Sequence, residues 1–524
     1  MRSIPVAEKT SDSVINLCLD TLQKGKQALV FVGTKRSAEK AAEDIGRKTE
    51  KKSAALNALA EQISSVLQKP TKQCERLAGC VRNGVAFHHA GLHSKQKELI
   101  EDNFRKGIIC IIACTPTLAM GVDLPAYRVI IRDVTRYGQR GMGYIPVLEY
   151  LQMAGRAGRP KFDNVGEAIL VAKSETDVED LGEKYIRGEP EEIYSKLAVE
   201  PVLRTYILSL ISSRLVGTRK ELLEFFSRTF WAHQFQDMER LAMTVDKMLR
   251  LLETWEFILP SKAKKDDFVS ANELGEDVAY RATFIGKRVA ELYLDPLTAH
   301  DLIVAMNKSV STNNVHVIAY LHTICATLEM RPLLRVGTRE YDKVMARMAE
   351  WDRHFLINEP SAYDPEHEEY ENSVKTAMML HDWMDEKDEE FLLEEYNVRP
   401  GETRVKLEIA EWLLYSMTEL ANILNHNIII KEINKLRFRL RYGVREELLP
   451  LLKLEGIGRV RARKMHHAGV KDLGDVRKVD IKKLADILGK QVAVSVKKQV
   501  GENVEEKKDS ALSSFDEKNA PAGI

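Results

Sequence analysis

The sequence predicts a multidomain chain in which an α/β domain on a parallel sheet is followed by mainly helical domains. Three observations carry this. Short β-rich apolar runs alternate with helical spacings over residues 10–190, strand signals nearly vanish from about residue 189, and a compact basic helical block precedes a polar tail. At 524 residues the chain is long enough for several domains of roughly 100–200 residues each.

Residues 28–32 (ALVFV) form the first apolar run, after a Gly25-Lys26 turn. Residues 34–45 follow with helical spacing and a Thr or Ser cap. Residues 85–88, 108–113, 129–131 and 166–172 (GEAILVA) are further short β-rich runs. Strands alternating with helices imply a parallel sheet covered on both faces. Residues 48–82 read as a long helical insertion rather than core. Residues 193–254 read as three or four amphipathic helices ending in 255–259 (WEFIL), and helices followed by a short β element suggest a winged helix. Residues 290–443 are almost entirely helical in pattern, broken by turns at Pro360, Pro365 and Pro400-Gly401. Residues 446–498 form a compact basic helical module, and 501–524 lack periodicity and read as a disordered tail. The expected boundaries are therefore 1–188, 189–289, 290–443, 444–500 and 501–524.

Hydrophobic residues at 44% and charged residues at 30% are those of a soluble globular protein, and no run approaches the ~18–20 apolar residues of a membrane span. The polar start lacks a secretory signal, so a cytoplasmic protein with no membrane partner is expected. The six cysteines (Cys18, Cys74, Cys80, Cys110, Cys114, Cys325) form no C-x-x-C pair and read as buried reduced thiols, without a metal site. The net charge is zero but unevenly spread. Residues 431–498 carry 19 Lys and Arg against 8 Asp and Glu, whereas 359–395 carry 2 against 14. The basic block is a candidate footprint for nucleic acid, although a solvated face has the same composition.

The strongest motif is Gln152-Met-Ala-Gly-Arg156-Ala-Gly-Arg159-Pro160. Two arginines three apart at the start of a helix can point the same way, and their fixed positive charge suits a phosphate gaining charge in a transition state. A Gly/Arg-rich helix cap would look alike in isolation. Upstream, residues 113–126 (ACTPTLAMGVDLPA) directly follow a strand, placing Thr115, Thr117, Gly121 and Asp123 at the sheet's carboxyl edge, where ligands sit in open α/β sheets. Phe87-His-His89-Ala-Gly91-Leu92 and Phe31-Val-Gly-Thr34-Lys-Arg36 also sit at strand ends. In the C-terminal module, Leu454-Glu-Gly456-Ile-Gly458-Arg459-Val-Arg461-Ala-Arg463-Lys464 has a G-x-G turn opening a helix, the signature of a helix–hairpin–helix. Such a turn offers backbone N–H groups to a phosphate, with Arg459, Arg461, Arg463 and Lys464 adding charge. A purely structural hairpin is the alternative, and His466 and His467 read as surface or packing residues.

On these motifs the chain resembles the second RecA-like domain of superfamily-two helicases and, through the domains that follow, the archaeal Hjm-type, Ski-like repair helicases. The resemblance extends to about residue 498. It implies that Gln152, Arg156 and Arg159 contact the γ-phosphate of ATP, the arginines as fingers, and that Gly121 and Asp123 couple nucleotide to DNA. It places Thr34, Arg36, His89, Gly91, Thr115 and Thr117 along the DNA backbone. It implies a duplex-splitting β-hairpin over 136–150, with Tyr137, Tyr144 and Ile145 as stacking or wedge residues, where the residues alone also allow a solvated loop. It makes residues 402–424 a ratchet helix in which Arg404 grips phosphate and Trp412 stacks on a base. By spacing alone that Trp reads as core. Relatives tend to carry two adjacent basic residues where this chain has Arg404 and Val405.

No G-x-x-x-x-G-K-[ST] occurs, and Asp385-Glu386 lies in an acidic helical stretch rather than after a strand. The phosphate cradle and the Mg²⁺ ligands for ATP are therefore expected on a first RecA-like lobe supplied by another chain or domain, the present chain being a fragment or a split-gene product, inactive alone. The expected function is the C-terminal part of an ATP-dependent 3′–5′ DNA repair helicase acting on single-stranded and forked or branched DNA, with replication-fork proteins as further partners. The alternatives are a non-catalytic, structure-selective DNA-binding protein and a Ski-branch RNA helicase fragment.

Overall fold

A computed structural model describes residues 5–49, 51–67, 69–138, 141–158, 163, 165–261 and 278–501. The chain divides into two compact units. One comprises Met1–Met379 with Asp388–Ile430, the other Leu380–Lys387 with Lys431–Ile524.

The first unit opens on a five-stranded sheet of β1 (Ala28–Phe31), β2 (Val85–His88), β3 (Ile111–Cys114), β4 (Arg128–Ile131) and β7 (Glu167–Leu170). The spatial order is β2-β3-β1-β4-β7 and every pairing is parallel, with Ala28 in register with both Ile111 and Arg128. β1 to β4 are buried along their whole length, as expected of strands covered on both faces. Thr34 caps the helix Lys35–Gly46 by accepting from Ser37 N, which confirms the expected cap. Arg128 is fully buried in β4, between Asp20 at 2.8 Å and Glu167 at 2.5 Å, with further bonds to Leu17 O and Thr21 Oγ1. These partners keep a buried charge tolerable.

The segment 48–82 is helical, as Ala54–Ser64 and Lys72–Val81, but it is not an appendage. Leu56, Leu59, Ile63 and Leu77 are buried in the same apolar cluster as the sheet. The expectation of an insertion outside the core is corrected: the apolar positions of both helices recur at helical spacing and turn inward.

β5 (Thr135–Gly138) and β6 (Gly141–Tyr144) form an antiparallel hairpin. Further on come the helices Glu200–Ser212, Arg219–Ser227, Phe230–Phe235 and Met238–Thr254, then the antiparallel pair β8 (Ile258–Ser261) and β9 (Ala279–Ala282). This is the helix-then-ribbon order expected of a winged helix. The rest of the unit is helical and includes Pro296–Thr312, Val317–Cys325, Tyr341–Trp351, Glu389–Tyr396 and the 24-residue helix Pro400–Ile423.

The long helix is seated on the sheet's carboxyl edge. Gly401 N donates to Gly91 O at 3.0 Å, and a Cβ on Gly401 would stand 2.4 Å from Leu92 O. Around this contact lie the ion pairs Arg399–Glu39 (3.1 Å), Lys35–Glu402, Lys69–Asp388 (2.5 Å) and Lys72–Glu394.

In the second unit, Arg459–His467, Leu473–Lys478, Ile481–Leu488 and Lys490–Gln499 surround a small core that includes Leu448, Leu451, Ile457, Met465 and Val496. Trp383 Nε1 donates to Leu440 O at 2.7 Å. The tail expected to be disordered lies outside the described residues beyond 501. All six cysteines are buried free thiols, and burial pushes Cys18, Cys80 and Cys325 up to about 12. Among the described residues no helix is long and apolar enough to cross a membrane.

Candidate nucleic-acid cleft and nucleotide edge

The turns that leave β1, β2, β3 and β4 converge on one cleft of about 570 Å³. Its wall includes Thr34 and Arg36 after β1, Ala90 after β2, Thr115 and Thr117 after β3, and Asp133 after β4. Four of the six residues expected along a DNA backbone thus meet in one place. The Thr115 and Thr117 hydroxyls are 2.8 Å apart, so each fixes the other's rotamer. Gly33 N donates to Asp133 Oδ2 at 3.0 Å, tying the β1 turn to the β4 turn. Burial alone would raise the Asp133 carboxyl, but Arg132 and the Gly33 N–H hold it below the usual range.

The charges of the cleft differ in availability. Lys35 is paired with Glu402, Arg136 with Glu149 at 2.9 Å, and Arg399 with Glu39. Arg36 is exposed and, among the described residues, has no ion-pair partner. It is the cation of this wall that can meet a phosphate without first giving up a carboxylate.

His89 and Gly91 are corrected as contacts. His89 is fully buried: its Nδ1 accepts from Gly91 N, its Nε2 lies 3.3 Å from Glu39, and its ring stacks on Phe87. Burial holds its pKa below the usual value even though Glu39 pulls the other way. At Gly91 a Cβ would stand 2.3 Å from Arg399 Cδ, so the glycine is used for close packing under the long helix. Both residues support the cleft from behind.

The nucleotide edge lies next to this cleft. The two strongest sequence motifs are joined by backbone: Ala126 N donates to Arg156 O at 2.9 Å, Gly158 N to Ala126 O at 2.7 Å, and Ala126 bridges Ala157 in parallel. Gly121 and Gly158 take φ of +88° and +92°, where glycine alone is unstrained. Arg156 donates through Nη2 to Ala119 O at 2.5 Å and lies 3.5 Å from Asp123, which is 95% exposed. For Arg156 the expectation of a helix start is corrected: it follows the C-terminus of Val147–Ala154, whose cap is Gly155, and Gln152 is exposed on the last turn of that helix. The two glycines supply the chain reversal there. Arg159 lies outside the described residues.

The hairpin expected to split a duplex is present, and Tyr144 is exposed with Lys184 Nζ 4.7 Å over its ring. Ile145, however, is buried and cannot act as a wedge. Its carbonyl accepts from the buried Tyr185 hydroxyl at 2.8 Å, at the foot of β6. Met142, 69% exposed on β6, is the apolar residue that the sequence reading missed. The side chain of Tyr137 lies outside the described residues.

On the long helix, Arg404 is exposed and bonds Glu408 at 2.8 Å, two turns from Trp412. Trp412 is half-buried, with Nε1 donating to Leu292 O at 3.2 Å. That bond fixes the indole plane. In the second unit, Gly456 takes φ +78° and Gly458 caps the start of the helix Arg459–His467. Arg461 and Lys464 are exposed. Arg463 is engaged by Glu386 and Glu447, and Arg459 lies 4.6 Å over the Trp383 ring. Arg399, Asn397, Lys35 and Arg136 line the cleft without having been expected there. Lys35 sits between two expected residues, and Arg399 abuts the Pro400-Gly401 turn. Those positions were the available signals.

Comparison with known proteins gives three family matches: helicase conserved C-terminal domain over residues 60–161, helix-turn-helix domain over 166–259, and archaeal helicase domain 4 over 318–443. A protein named ATP-dependent DNA helicase Hel308 in Methanocella arvoryzae is 38% identical over 503 residues, covering 94% of this chain and 65% of the relative. Its namesake in Methanococcus vannielii is 35% identical over 523 residues, covering 94% and 68%. That of Pyrococcus horikoshii is 36% identical over 499 residues, covering 93% and 66%. The chain therefore spans about two thirds of the length of the curated relatives it matches.

Proposed function

This chain belongs to the archaeal Hel308-type family of superfamily-two DNA helicases, and from that premise we propose that it is the C-terminal part of an ATP-dependent 3′–5′ motor of the Hjm type that unwinds forked or branched DNA. The observation that carries the proposal is the convergence of Thr34, Arg36, Thr115 and Thr117 on one cleft at the sheet's carboxyl edge, beside the joined motifs that hold Gln152 and Arg156.

In this reading a single strand lies across the cleft. Of the two paired threonine hydroxyls, one donates to the other and the second to a phosphate, and Arg36 supplies the free positive charge. The strand then passes the long helix, where Arg404 meets a phosphate and the fixed indole of Trp412 stacks on a base in a sequence-independent way. The hairpin β5–β6 stands at the fork, with Met142 and Tyr144 against the last base pair. The helix after Gly458 presents its first N–H groups, with Arg461 and Lys464, to a further phosphate.

ATP with Mg²⁺ supplies the phosphoryl-transfer step when bound between this domain and a first RecA-like lobe. The residues here fit one side of it. The amide of Gln152 and the guanidinium of Arg156 are donors for a terminal phosphate, and Asp123 can take up Arg156 when no phosphate is near. The phosphate cradle and metal ligands are assigned to the first lobe, consistent with a sequence that has no G-x-x-x-x-G-K-[ST].

The test is ATP hydrolysis by the purified chain with forked DNA, alone and with a first RecA-like lobe added as a separate polypeptide. Hydrolysis only in the mixture supports the reading. DNA-stimulated hydrolysis by the chain alone overturns the division of the ATP site.

A further inference from the structure

The cleft does not end at the sheet. Asn397, the left-handed residue that closes the helix Glu389–Tyr396, lines it on one side and a second groove of about 610 Å³ on the other. The second groove is lined by Arg335, Gly337, Arg339, Glu340, Lys375 and Tyr396, among others. Its floor is the loop 331–340, which is held rigidly. Val336 N donates to Asn372 Oδ1 at 2.7 Å, Leu334 N to Thr376 Oγ1 at 3.1 Å, and the buried Lys375 Nζ to Arg335 O at 2.7 Å. Lys406, from the helix that carries Arg404 and Trp412, donates to Pro332 O at 2.7 Å.

The charge pattern of the groove is unusual for its surroundings. Within this unit, residues 359–379 and 388–395 carry 11 carboxylates against 1 basic side chain, so an arginine of this region has many acids close in sequence. Glu340 is taken by Lys375. Arg335 and Arg339 are exposed and, among the described residues, neither has an ion-pair partner. Two uncommitted guanidiniums on a pinned loop, at the end of a cleft that already suits phosphates, form a ready anion track.

The geometry points to a continuation of the nucleic-acid path: a single strand leaving the sheet's carboxyl edge passes Asn397 and lays its next phosphates against Arg335 and Arg339. This rests on the reading of the cleft given above. The two arginines contribute affinity without base preference, because they lie in the groove as phosphate partners and not on an aromatic platform.

The test uses the full chain, 5′-fluorescein-labelled oligothymidylates of increasing length, and fluorescence anisotropy. Compared are the wild type, R335Q/R339Q, and R36Q in the cleft. Each replaces exposed side chains, and matching circular-dichroism melts establish intact folding. The expected result is that R335Q/R339Q loses about tenfold in affinity for long oligomers and nothing for the shortest that bind, with the salt slope reduced by about 1.4. R36Q weakens binding at every length. If R36Q weakens binding but R335Q/R339Q matches the wild type at all lengths, the cleft reading stands and the continuation is wrong. If R36Q is silent and R335Q/R339Q loses equally at all lengths, the cleft reading and the continuity both fall. A poly-glutamate peptide that binds the wild type as tightly as the longest oligomer, and loses as much in R335Q/R339Q, would make the groove an acidic-peptide site and overturn the proposal.

Discussion

The Glu39 carboxylate accepts from Arg399 Nε at 3.1 Å, across 360 positions of sequence. Glu39 is almost fully buried and also holds Arg76 at 2.6 Å and Gln73 Nε2 at 2.9 Å, with His89 Nε2 at 3.3 Å. One side chain thus collects the first sheet helix, the β2 turn and the start of the long helix. Burial disfavours its charge, but His89, Gln73 and Arg399 together hold the carboxyl well below the usual range. Glu39→Ala removes the common acceptor and is expected to lower stability by about 1–3 kcal/mol in urea denaturation, the cost of leaving the buried His89 and Gln73 donors unpaired. A loss under 1 kcal/mol would mean the cluster is not a unit.

The two glycines of the docking contact are expected to respond differently. In Gly401→Ala the new Cβ meets the backbone oxygens of Leu92 and Ala90 at 2.4 and 2.5 Å, which cannot retreat without moving the turn. The expected cost is about 2–3 kcal/mol. In Gly91→Ala the nearest atom is Arg399 Cδ, on a side chain that can rotate, and the cost should be smaller. Thermal melts of both variants decide it, and a reversed order would contradict the packing described.

Trp412→Ala should weaken single-strand binding by about 1–3 kcal/mol in anisotropy titrations, the usual worth of one stacked base. Trp412→Phe keeps a ring but loses the N–H donated to Leu292 O. Partial retention of affinity in the Phe variant is expected. Arg404→Ala should instead reduce the salt slope by about 0.7–1. Equal effects on every readout would place both residues in folding rather than binding.

Arg156→Ala is expected to lower DNA-stimulated ATP turnover, in a mixture completed by the first lobe, by about 10³-fold or more, with DNA affinity unchanged. Arg156 also bonds Ala119 O, so Arg156→Lys is the control for local structure. A lysine keeps one donor but loses the planar fork, and should remain poorly active. Turnover near wild type in either variant would remove Arg156 from the reaction.

His322 sets an acid limit on stability. It is fully buried between Phe355 and Tyr370, with Nε2 on Ser373 Oγ at 3.0 Å, and burial brings its pKa down from 6.5 to about 3. The unfolded chain takes up this proton first as the pH falls. The contribution of the neutral imidazole is therefore complete above about 6.5 and is lost progressively toward about 3, by up to about 1.4 kcal/mol per pH unit. His322→Gln should flatten that part of the curve, as followed by denaturation midpoints between pH 7 and 4. An unchanged slope would assign the acid sensitivity to other groups.

The parallel sheet was legible because its strands are short, fully apolar and punctuated, and because each functional turn directly follows a strand. The turn at Gly456 and the helix start after Gly458 were legible because a G-x-G turn constrains the backbone locally. What the sequence concealed depends on distance. Nothing around His89 indicates that Glu39, fifty residues earlier, pulls its ring inward, and nothing around Arg463 indicates that Glu386 and Glu447 engage it. The helices of 48–82 read as an appendage in sequence because amphipathic spacing shows that a face is buried without saying against what. Ile145 differs from the expectation for a related reason: a β-branched residue beside a hairpin is apolar whether it faces a fork or the core, and only its burial in the folded chain distinguishes them.

The seat of the long helix on Gly91 has a mechanical meaning. With 24 residues the helix is about 36 Å long, and it is clamped at its first turn by Gly401 and Arg399. It is a lever with its fulcrum on the sheet. Trp412 sits twelve residues along, about 18 Å from the pivot, so a tilt of roughly 10° sweeps its ring through about 3 Å, while Arg404 near the hinge moves by only about 1 Å. On the proposed function, Arg404 as phosphate partner is therefore the still point and Trp412 as base platform the moving one. On that proposal, a rotation of the α/β domain would reach a bound strand as a displacement of bases relative to backbone.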